Sequence, residues 1–189
     1  MEPVAVSTLV VALAEIGDRT QLLAIVLTAR FGKPWPVIAG ILVATIANHT
    51  ATAAVGYFIA GFLKGAWLDW VLAISFFATA VWTLIPDKAD EQQHHATRFD
   101  VFLTTAIAFF IVEIGDKTQI ATLSLAARFH DVLRVAAGTT LGMMIANVPA
   151  VLLGEAAVKV VPLRAIRIVA AALFAVLGVS ALIAALRGG

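Results

Sequence analysis

The sequence predicts an all-α integral membrane protein in which six transmembrane helices form two inverted-topology repeats of three. Three observations support this fold class. Hydrophobic residues occupy 61% of the 189 positions and charged residues only 13%, whereas a soluble domain averages roughly 45–50% and about 25%. Six long apolar segments follow one another along the chain, and the second half repeats the first.

Each apolar segment is about as long as the ~20 residues that a helix needs to cross the hydrocarbon core of a bilayer. Because the backbone must satisfy its own hydrogen bonds in lipid, these segments are predicted to be helices. A soluble bundle is the alternative, but too little polar sequence remains to cover six helices that are apolar nearly all round. The predicted spans are 4–29, 35–63, 67–85, 101–127, 132–158 and 163–186.

The two halves are related by an offset of 98 residues. Residues 15–21 read EIGDRTQ and residues 113–119 read EIGDKTQ, so six of seven positions are identical. Each repeat has three spans, an odd number, and the second repeat must therefore enter the membrane from the opposite side. This pattern is typical of secondary transporters with a site at the repeat interface. The predicted organisation is a first repeat at 1–86, a polar linker at 87–100 and a second repeat at 101–189.

The distribution of basic residues predicts the orientation in the membrane. Seven lysines and arginines fall on the side of the first, third and fifth loops, and four fall on the side that carries both termini. Because positive loops stay in the cytoplasm, both termini are predicted to lie outside. The seven are Arg30, Lys33, Lys88, Arg98, Lys159, Arg164 and Arg167, and the four are Lys64, Arg128, Arg134 and Arg187.

The repeated heptapeptide places two carboxylates deep inside an apolar span, where ionisable groups are functional by default. On a continuous helix Glu15, Asp18 and Gln21 would share one face, with Arg19 at its edge. Gly17 would let a neighbouring helix or an ion approach the backbone, and would let the helix loosen and free carbonyl ligands. The second copy supplies Glu113, Gly115, Asp116, Lys117 and Gln119 in the same order. A purely structural alternative is an intrahelical ion pair in each copy, joining positions four apart.

The charge of the two copies fits a divalent cation. Four carboxylates and two charge-balancing bases, Arg19 and Lys117, sum to −2 when all are ionised, which one divalent cation or two protons would neutralise. Oxygen ligands suit hard cations such as Ca²⁺, Mg²⁺ and Mn²⁺. Cysteine is absent, so thiolate metal sites and cysteine nucleophiles are excluded. The net charge of +1 gives no reason to expect nucleic acid binding, and no cofactor is expected.

The signature E-φ-G-D-[KR]-[ST], present twice across the whole chain, resembles that of the small six-span cation/proton exchanger family formerly catalogued as an uncharacterised membrane family. The resemblance implies transport of Mn²⁺ or Ca²⁺, with Glu15, Asp18, Glu113 and Asp116 handling the cation. Because the chain has no targeting extension, it is most similar to bacterial members. That similarity implies Mn²⁺ export across the bacterial inner membrane in exchange for protons. The lipid bilayer is the expected surrounding, and a homodimer is left open.

Polar residues in the second and fifth spans extend the candidate site. Asn48 aligns with Asn147 after a one-residue shift, and the pair is predicted to supply oxygen ligands together with Gln21 and Gln119, the alternative being ordinary interhelical hydrogen bonds. His49 has no counterpart in the second repeat, and a ligand role and a packing role are equally supported.

Two other functions compete with an exchanger. A passive channel for divalent cations is one, but discrete carboxylates paired with bases suit binding better than fast conduction. An intramembrane aspartyl protease is the other, because it also carries a Gly-Asp pair within a span. Its motif has glycine two residues before that pair, where this chain has Glu15 and Glu113. The protein is therefore predicted not to be an enzyme.

Overall fold

The computed structural model describes residues 2–63, 65–86, 100–154, 156 and 162–188, and all regular structure in these ranges is helical. Most of the predicted linker lies outside the described residues, as do Lys64, Lys88, Arg98 and Lys159. The helices are α1 (Glu2–Glu15), α2 (Arg19–Phe31), α3 (Pro34–Phe62), α4 (Ala66–Leu84), α5 (Val101–Glu113), α6 (Lys117–Phe129), α7 (Val132–Leu153) and α8 (Leu163–Leu186).

Four helices, α3, α4, α7 and α8, are long and apolar enough to cross a membrane, with 29, 19, 22 and 24 residues. They coincide with the second, third, fifth and sixth predicted spans, although α7 ends at Leu153, before the predicted end of the fifth. The first and fourth predicted spans are not single helices. Each consists of two helices of 13 or 14 residues, because the chain turns at the glycine of each heptapeptide.

The outer surface of the molecule is apolar and its interior holds polar groups. Large hydrophobic side chains such as Trp35, Phe62, Trp67 and Leu133 are 71–86% exposed. Carboxylates, amides and hydroxyls are buried between the helices instead. Such an extended apolar surface exceeds the patches of a few hundred Å² that soluble monomers expose. Together with the four long apolar helices, it identifies an integral membrane protein.

Glycines allow α1 to approach α7, and α5 to approach α3, at backbone distance. A Cβ atom on Gly138 would lie 2.6 Å from the carbonyl oxygen of Val4, and one on Gly40 would lie 2.7 Å from that of Phe102. Positions 4 and 102 are 98 residues apart, as are positions 40 and 138. Corresponding residues of the two halves therefore make corresponding close contacts, each with the opposite half.

The direction of the helices follows from successive contacts. On α7, Gly138 faces Val4 and Gly142 faces Thr8, so α1 and α7 run in the same direction. On α3, Gly40 faces Phe102 and Asn48 contacts Glu113, so α3 and α5 also run in the same direction.

The remaining core joins α4, α6 and α8. Phe76 of α4 and Phe174 of α8, again 98 residues apart, are fully buried in one hydrophobic cluster with Leu125 of α6. Arg128, near the end of α6, donates a hydrogen bond to Ser180 Oγ on α8 at 2.8 Å. These contacts hold the long outer helices against the interrupted ones, so that the carboxylates beside the two interruptions lie inside the helix bundle.

Candidate cation site

Both heptapeptides interrupt a helix instead of lying on one. Glu15 ends α1 and Asp18 is the N-cap of α2, while Glu113 ends α5 and Asp116 is the N-cap of α6. The expectation that acids and amide share one continuous helical face is therefore wrong. The expectation that the helix loosens at the glycine is confirmed, and the loosening is a complete break.

Glycine is required at each break because of its backbone conformation. Gly17 has φ +79° and Gly115 has φ +77°, in the left-handed region that costs other residues about 1–2 kcal/mol. The backbone N–H of Gly17 donates to Gln21 Oε1 at 2.8 Å, and that of Gly115 donates to Gln119 Oε1 at 2.7 Å. In each copy the glutamine thus satisfies a backbone group that the break would otherwise leave unpaired.

Three of the four predicted acids meet at one point. Oxygens of Glu15, Asp18 and Asp116 all lie within 4.8 Å of one another, and each of these residues is at most 1% exposed. Glu113 is equally buried but is not in this group. Its carboxylate accepts hydrogen bonds from Thr45 Oγ1 and Asn48 Nδ2, both at 3.1 Å. Glu15 and Glu113 therefore have different surroundings, although the two heptapeptides that carry them are nearly identical.

The two bases form ion pairs across the repeat. Arg19 Nη2 lies 3.2 Å from Asp116 Oδ1 and donates to the carbonyl of Val112 at 3.0 Å, while Lys117 Nζ pairs with Asp18 Oδ1. The intrahelical pairs considered from the sequence would join positions four apart, whereas each of these pairs joins opposite halves. A break in the helix turns the base away from the preceding glutamate, which explains the exchange of partners.

The two asparagines also bind the acid of the opposite half. Asn147 Nδ2 donates to Glu15 Oε1 at 3.2 Å, and Asn48 Nδ2 donates to Glu113 Oε2. Their aligned positions in the two repeats therefore correspond to equivalent contacts.

The glutamine amides serve neighbouring backbone and side-chain groups. Gln21 Nε2 donates to the carbonyl of Ala146 at 2.9 Å, and Gln119 Nε2 donates to Asn48 Oδ1 at 2.7 Å. Each glutamine therefore connects its own break to the first long helix of the other half, α7 for Gln21 and α3 for Gln119.

Two hydroxyls complete the surroundings of the carboxylates. Thr20 Oγ1 donates to Glu15 Oε1, and Thr118 Oγ1 donates to Asp116 Oδ2 at 3.0 Å. Thr45 was not anticipated from the sequence. It stands three residues before Asn48, on the same helical face, and that spacing is the signal that could have identified it.

Several buried atoms at this site lack a protein partner. Within the described part of the chain, Glu15 Oε2 and Asn147 Oδ1 accept no hydrogen bond, and neither ring nitrogen of His49 has a partner. Buried polar atoms are normally satisfied. Because Glu15 and Asn147 are in contact through their other atoms, their unpaired oxygens leave ligand positions for a cation or a proton beside the three-acid group.

The chain is similar to known proteins over most of its length. The family model described as "Divalent cation/proton antiporter GDT1" matches it twice, over residues 3–91 and 101–189. A Vibrio cholerae serotype O1 protein named "Putative manganese exporter" is 51% identical over 175 residues, which cover 92% of this chain and 87% of that protein.

More distant relatives come from a plant and a cyanobacterium. The "GDT1-like protein 5" of Arabidopsis thaliana is 25% identical over 209 residues, covering 90% of this chain and 91% of its own. A GDT1-like protein of Synechocystis is 27% identical over 168 residues, covering 78% and 80%. No solved structure matches the chain.

Proposed function

Because the chain belongs to the GDT1 family of divalent cation/proton antiporters, we propose that it exports Mn²⁺ across a bacterial inner membrane in exchange for protons. The family is one of transporters, so the chain is not an enzyme and the protease alternative is set aside. An antiporter couples the movement of one ion to the opposite movement of another, which also excludes the alternative of a passive channel. The choice of Mn²⁺ over Ca²⁺ is supported by the name of the Vibrio cholerae relative.

The proposed architecture is the six-span inverted repeat. In it, α1 with α2 forms the first span and α5 with α6 the fourth. Alternating spans would make the first and fifth parallel, and likewise the second and fourth, which agrees with the directions of the helix pairs α1–α7 and α3–α5. The family model matches each half separately, which supports repeats at 1–86 and 101–189 joined by the linker. Discontinuous helices at a repeat interface are the usual setting of an ion site in secondary transporters.

The proposed cation ligands are Glu15, Asp18 and Asp116, with Asn147 Oδ1 as an amide ligand. Oxygens on opposite sides of a Ca²⁺ or Mn²⁺ ion lie about 4–5 Å apart, since metal–oxygen distances are about 2.1–2.6 Å. The spacing of the three acids, within 4.8 Å, therefore fits one ion. Glu113 and Asn48 are the matching ligands of the other half, and Gln21 and Gln119 support them by holding the breaks.

Charge pairing suggests which acids exchange the two kinds of ion. Asp18 with Lys117 and Asp116 with Arg19 are each neutral as pairs. The two glutamates remain, with a combined charge of −2 when ionised. One divalent cation, or one proton on each glutamate, balances that charge. We therefore assign the exchange to Glu15 and Glu113, while the two aspartates stay paired with their bases.

The proposed orientation keeps the first, third and fifth loops in the cytoplasm and both termini outside. Of the seven basic residues that predict this cytoplasmic side, Arg30, Lys33, Arg164 and Arg167 lie among the described residues. The homodimer stays a prediction without structural support in either direction.

The observation that carries the proposal is the meeting of acids from both halves at one buried point, beside two unpartnered oxygens. The test is transport by the purified protein in vesicles under imposed Mn²⁺ and pH gradients, with both ions followed. Glu15→Gln and Asp116→Asn should reduce Mn²⁺ transport by about 100-fold or more, because even groups outside the direct ligand set contribute about 10- to 100-fold. Glu2→Gln, the same change at an exposed acid of α1, should have no effect.

Mn²⁺ uptake that moves no protons and persists in both site variants would overturn the exchanger assignment. Competition by Ca²⁺ and Mg²⁺ in the same vesicles would identify the preferred cation.

A further inference from the structure

The two helix breaks are covered to different extents. Gly17 is half-buried, and a Cβ atom there would lie 2.7 Å from Leu163 Cδ2 at the start of α8. Gly115 is exposed, and no described atom lies within 4 Å of the equivalent position. The residue 98 positions before Leu163 is Gly65, which has no side chain. Leu163 therefore covers the break at Gly17, and its repeat equivalent, Gly65, has no side chain to cover the break at Gly115.

The glutamines beside the breaks show the same difference. Gln21 is 5% exposed and is tied to the backbone of α7. Gln119 is half-buried and lines a cavity between α3 and α6. This cavity has a volume of about 300 Å³ and is lined by Asn48, Ala51, Thr52, Val55, Gln119, Ile120 and Leu123.

The cavity extends from the candidate site along α3 and α6. Its polar end is formed by Asn48 and Gln119, which are hydrogen-bonded to each other, and Asn48 in turn contacts the carboxylate of Glu113. From there it extends to Val55 and Leu123, along the stretches of α3 and α6 that continue towards the second and fourth loops. At about 30 Å³ per water molecule, it has room for roughly ten waters, and thus for a hydrated divalent ion.

We propose that this cavity is the passage that connects the carboxylates to the side of the second and fourth loops, through which protons enter and the divalent cation leaves. The inference rests on the proposed function. Asn48 Oδ1, now bonded to Gln119, is an oxygen of the site at the inner end of this cavity, where a departing cation would pass it. The equivalent route beside Gln21 is closed by α7 and by Leu163. With the proposed orientation, the open side is the exterior.

The natural absence of cysteine allows a direct test with single-cysteine variants. Ala51 lines the cavity and is exposed, whereas its repeat equivalent after the one-residue shift, Ala150, is fully buried. Ala51→Cys and Ala150→Cys are therefore the same substitution at matched positions. A membrane-impermeant, positively charged thiol reagent should modify the Ala51→Cys variant and leave the Ala150→Cys variant unmodified.

Three control variants show from which side of the membrane a thiol is modified and whether it faces water or lipid. Lys33→Cys reports the first loop and Leu133→Cys the start of α7 at the fourth loop. Ala51→Cys should react from the side that modifies Leu133→Cys and not from the other. Ile46→Cys, on an exposed part of α3 outside the cavity, should not react, because a thiol facing lipid is not reached by a charged reagent. Modification of Ala51→Cys should abolish Mn²⁺ transport, and added Mn²⁺ should slow the reaction.

The proposal is overturned if Ala51→Cys and a second lining variant, Val55→Cys, stay unmodified while Leu133→Cys reacts. It is also overturned if Ala150→Cys reacts as fast as they do, or if they react only from the side of Lys33→Cys. Modification is measured without transport. A protein that reacts as expected but moves no Mn²⁺ would therefore contradict the proposed function alone, and one that transports Mn²⁺ without reacting would contradict this passage alone.

Discussion

At the residue scale, the two crossed ion pairs differ in their access to water. The side chains of Lys117 and Asp18 are 4% and 0% exposed, whereas that of Arg19 is 31% exposed and its partner Asp116 is 2% exposed. Removing one member of a fully buried pair leaves a charge without compensation, which typically costs about 3–5 kcal/mol. Where one member reaches solvent, water can compensate part of that loss.

Lys117→Met should therefore lower the apparent melting temperature of the detergent-solubilised protein more than Arg19→Met does. The double variant Lys117→Met with Asp18→Asn should recover part of the loss, because it no longer buries an unpaired carboxylate. Thermal unfolding followed by tryptophan fluorescence measures all three variants. Equal losses for the two single variants, or no recovery in the double variant, would show that pairing across the repeat does not stabilise the bundle.

The asparagines offer a prediction about affinity. Asn147→Ala removes the amide bonded to Glu15, and Asn48→Ala removes the amide bonded to Glu113. Each should raise the KM for Mn²⁺ by about 10- to 100-fold, the usual effect of groups that orient or supplement metal ligands. Thr28→Val is the control, since Thr28 bonds only to the backbone of its own helix in the described contacts. An unchanged KM in both asparagine variants would remove them from the site.

At the element scale, each break depends on one left-handed residue. Gly115→Ala should destabilise the protein by about 1–2 kcal/mol through backbone strain, and Gly115→Asn by less, since asparagine adopts this conformation more readily. Gly17→Ala should cost more than Gly115→Ala, because the new methyl group also meets Leu163. Adding Leu163→Ala should relieve that excess. Thermal unfolding of the four variants is the measurement. Identical effects at the two glycines would show that the contact with Leu163 at position 17 has no energetic consequence.

The close contact between α1 and α7 gives a second prediction at this scale. Gly138→Ala places a methyl group 2.6 Å from the carbonyl oxygen of Val4. A backbone carbonyl cannot rotate away as a side chain can. The free energy of unfolding is therefore expected to fall by about 1–3 kcal/mol, as for other overpacked positions. Gly61→Ala is the matched control, since Gly61 of α3 has open space around it and alanine favours a helix. Equal melting temperatures for the two variants would mean that the helices separate easily.

At the scale of the whole molecule, neither half contains all the ligands of the proposed site. Residues 1–86 lack Asp116 and Asn147, and residues 101–189 lack Glu15 and Asp18. Co-expression of the two segments should therefore restore Mn²⁺ transport in vesicles, while each segment alone should give none. The uncut chain is the positive control. Transport by one segment alone would show that the contacts between the halves are not needed for function.

The sequence predicted the helical class and, among its six spans, the four that are long apolar helices. It also predicted that the acids of the two heptapeptides are buried, because an internal repeat and charges within apolar segments can be read directly from the sequence. It did not predict the partners. Helical spacing suggested that Arg19 would face Glu15, and only the break at Gly17 turns it towards Asp116. The unequal surroundings of Glu15 and Glu113 were also not predicted, since Glu113 is bonded to Thr45, which the repeated motif does not include.

The exchange of partners between the halves also limits how this chain can change over time. Because Asn147 binds Glu15 and Asn48 binds Glu113, a substitution in one copy removes a hydrogen-bond partner from the other copy. The two copies of a duplicated segment are thus not free to drift apart at these positions, and paired substitutions would be tolerated where single ones are not. Thr45 is aligned with Met144 in the second copy. The hydrogen bond of Thr45 to Glu113 therefore has no equivalent from Met144 to Glu15, and at this position the two copies already differ.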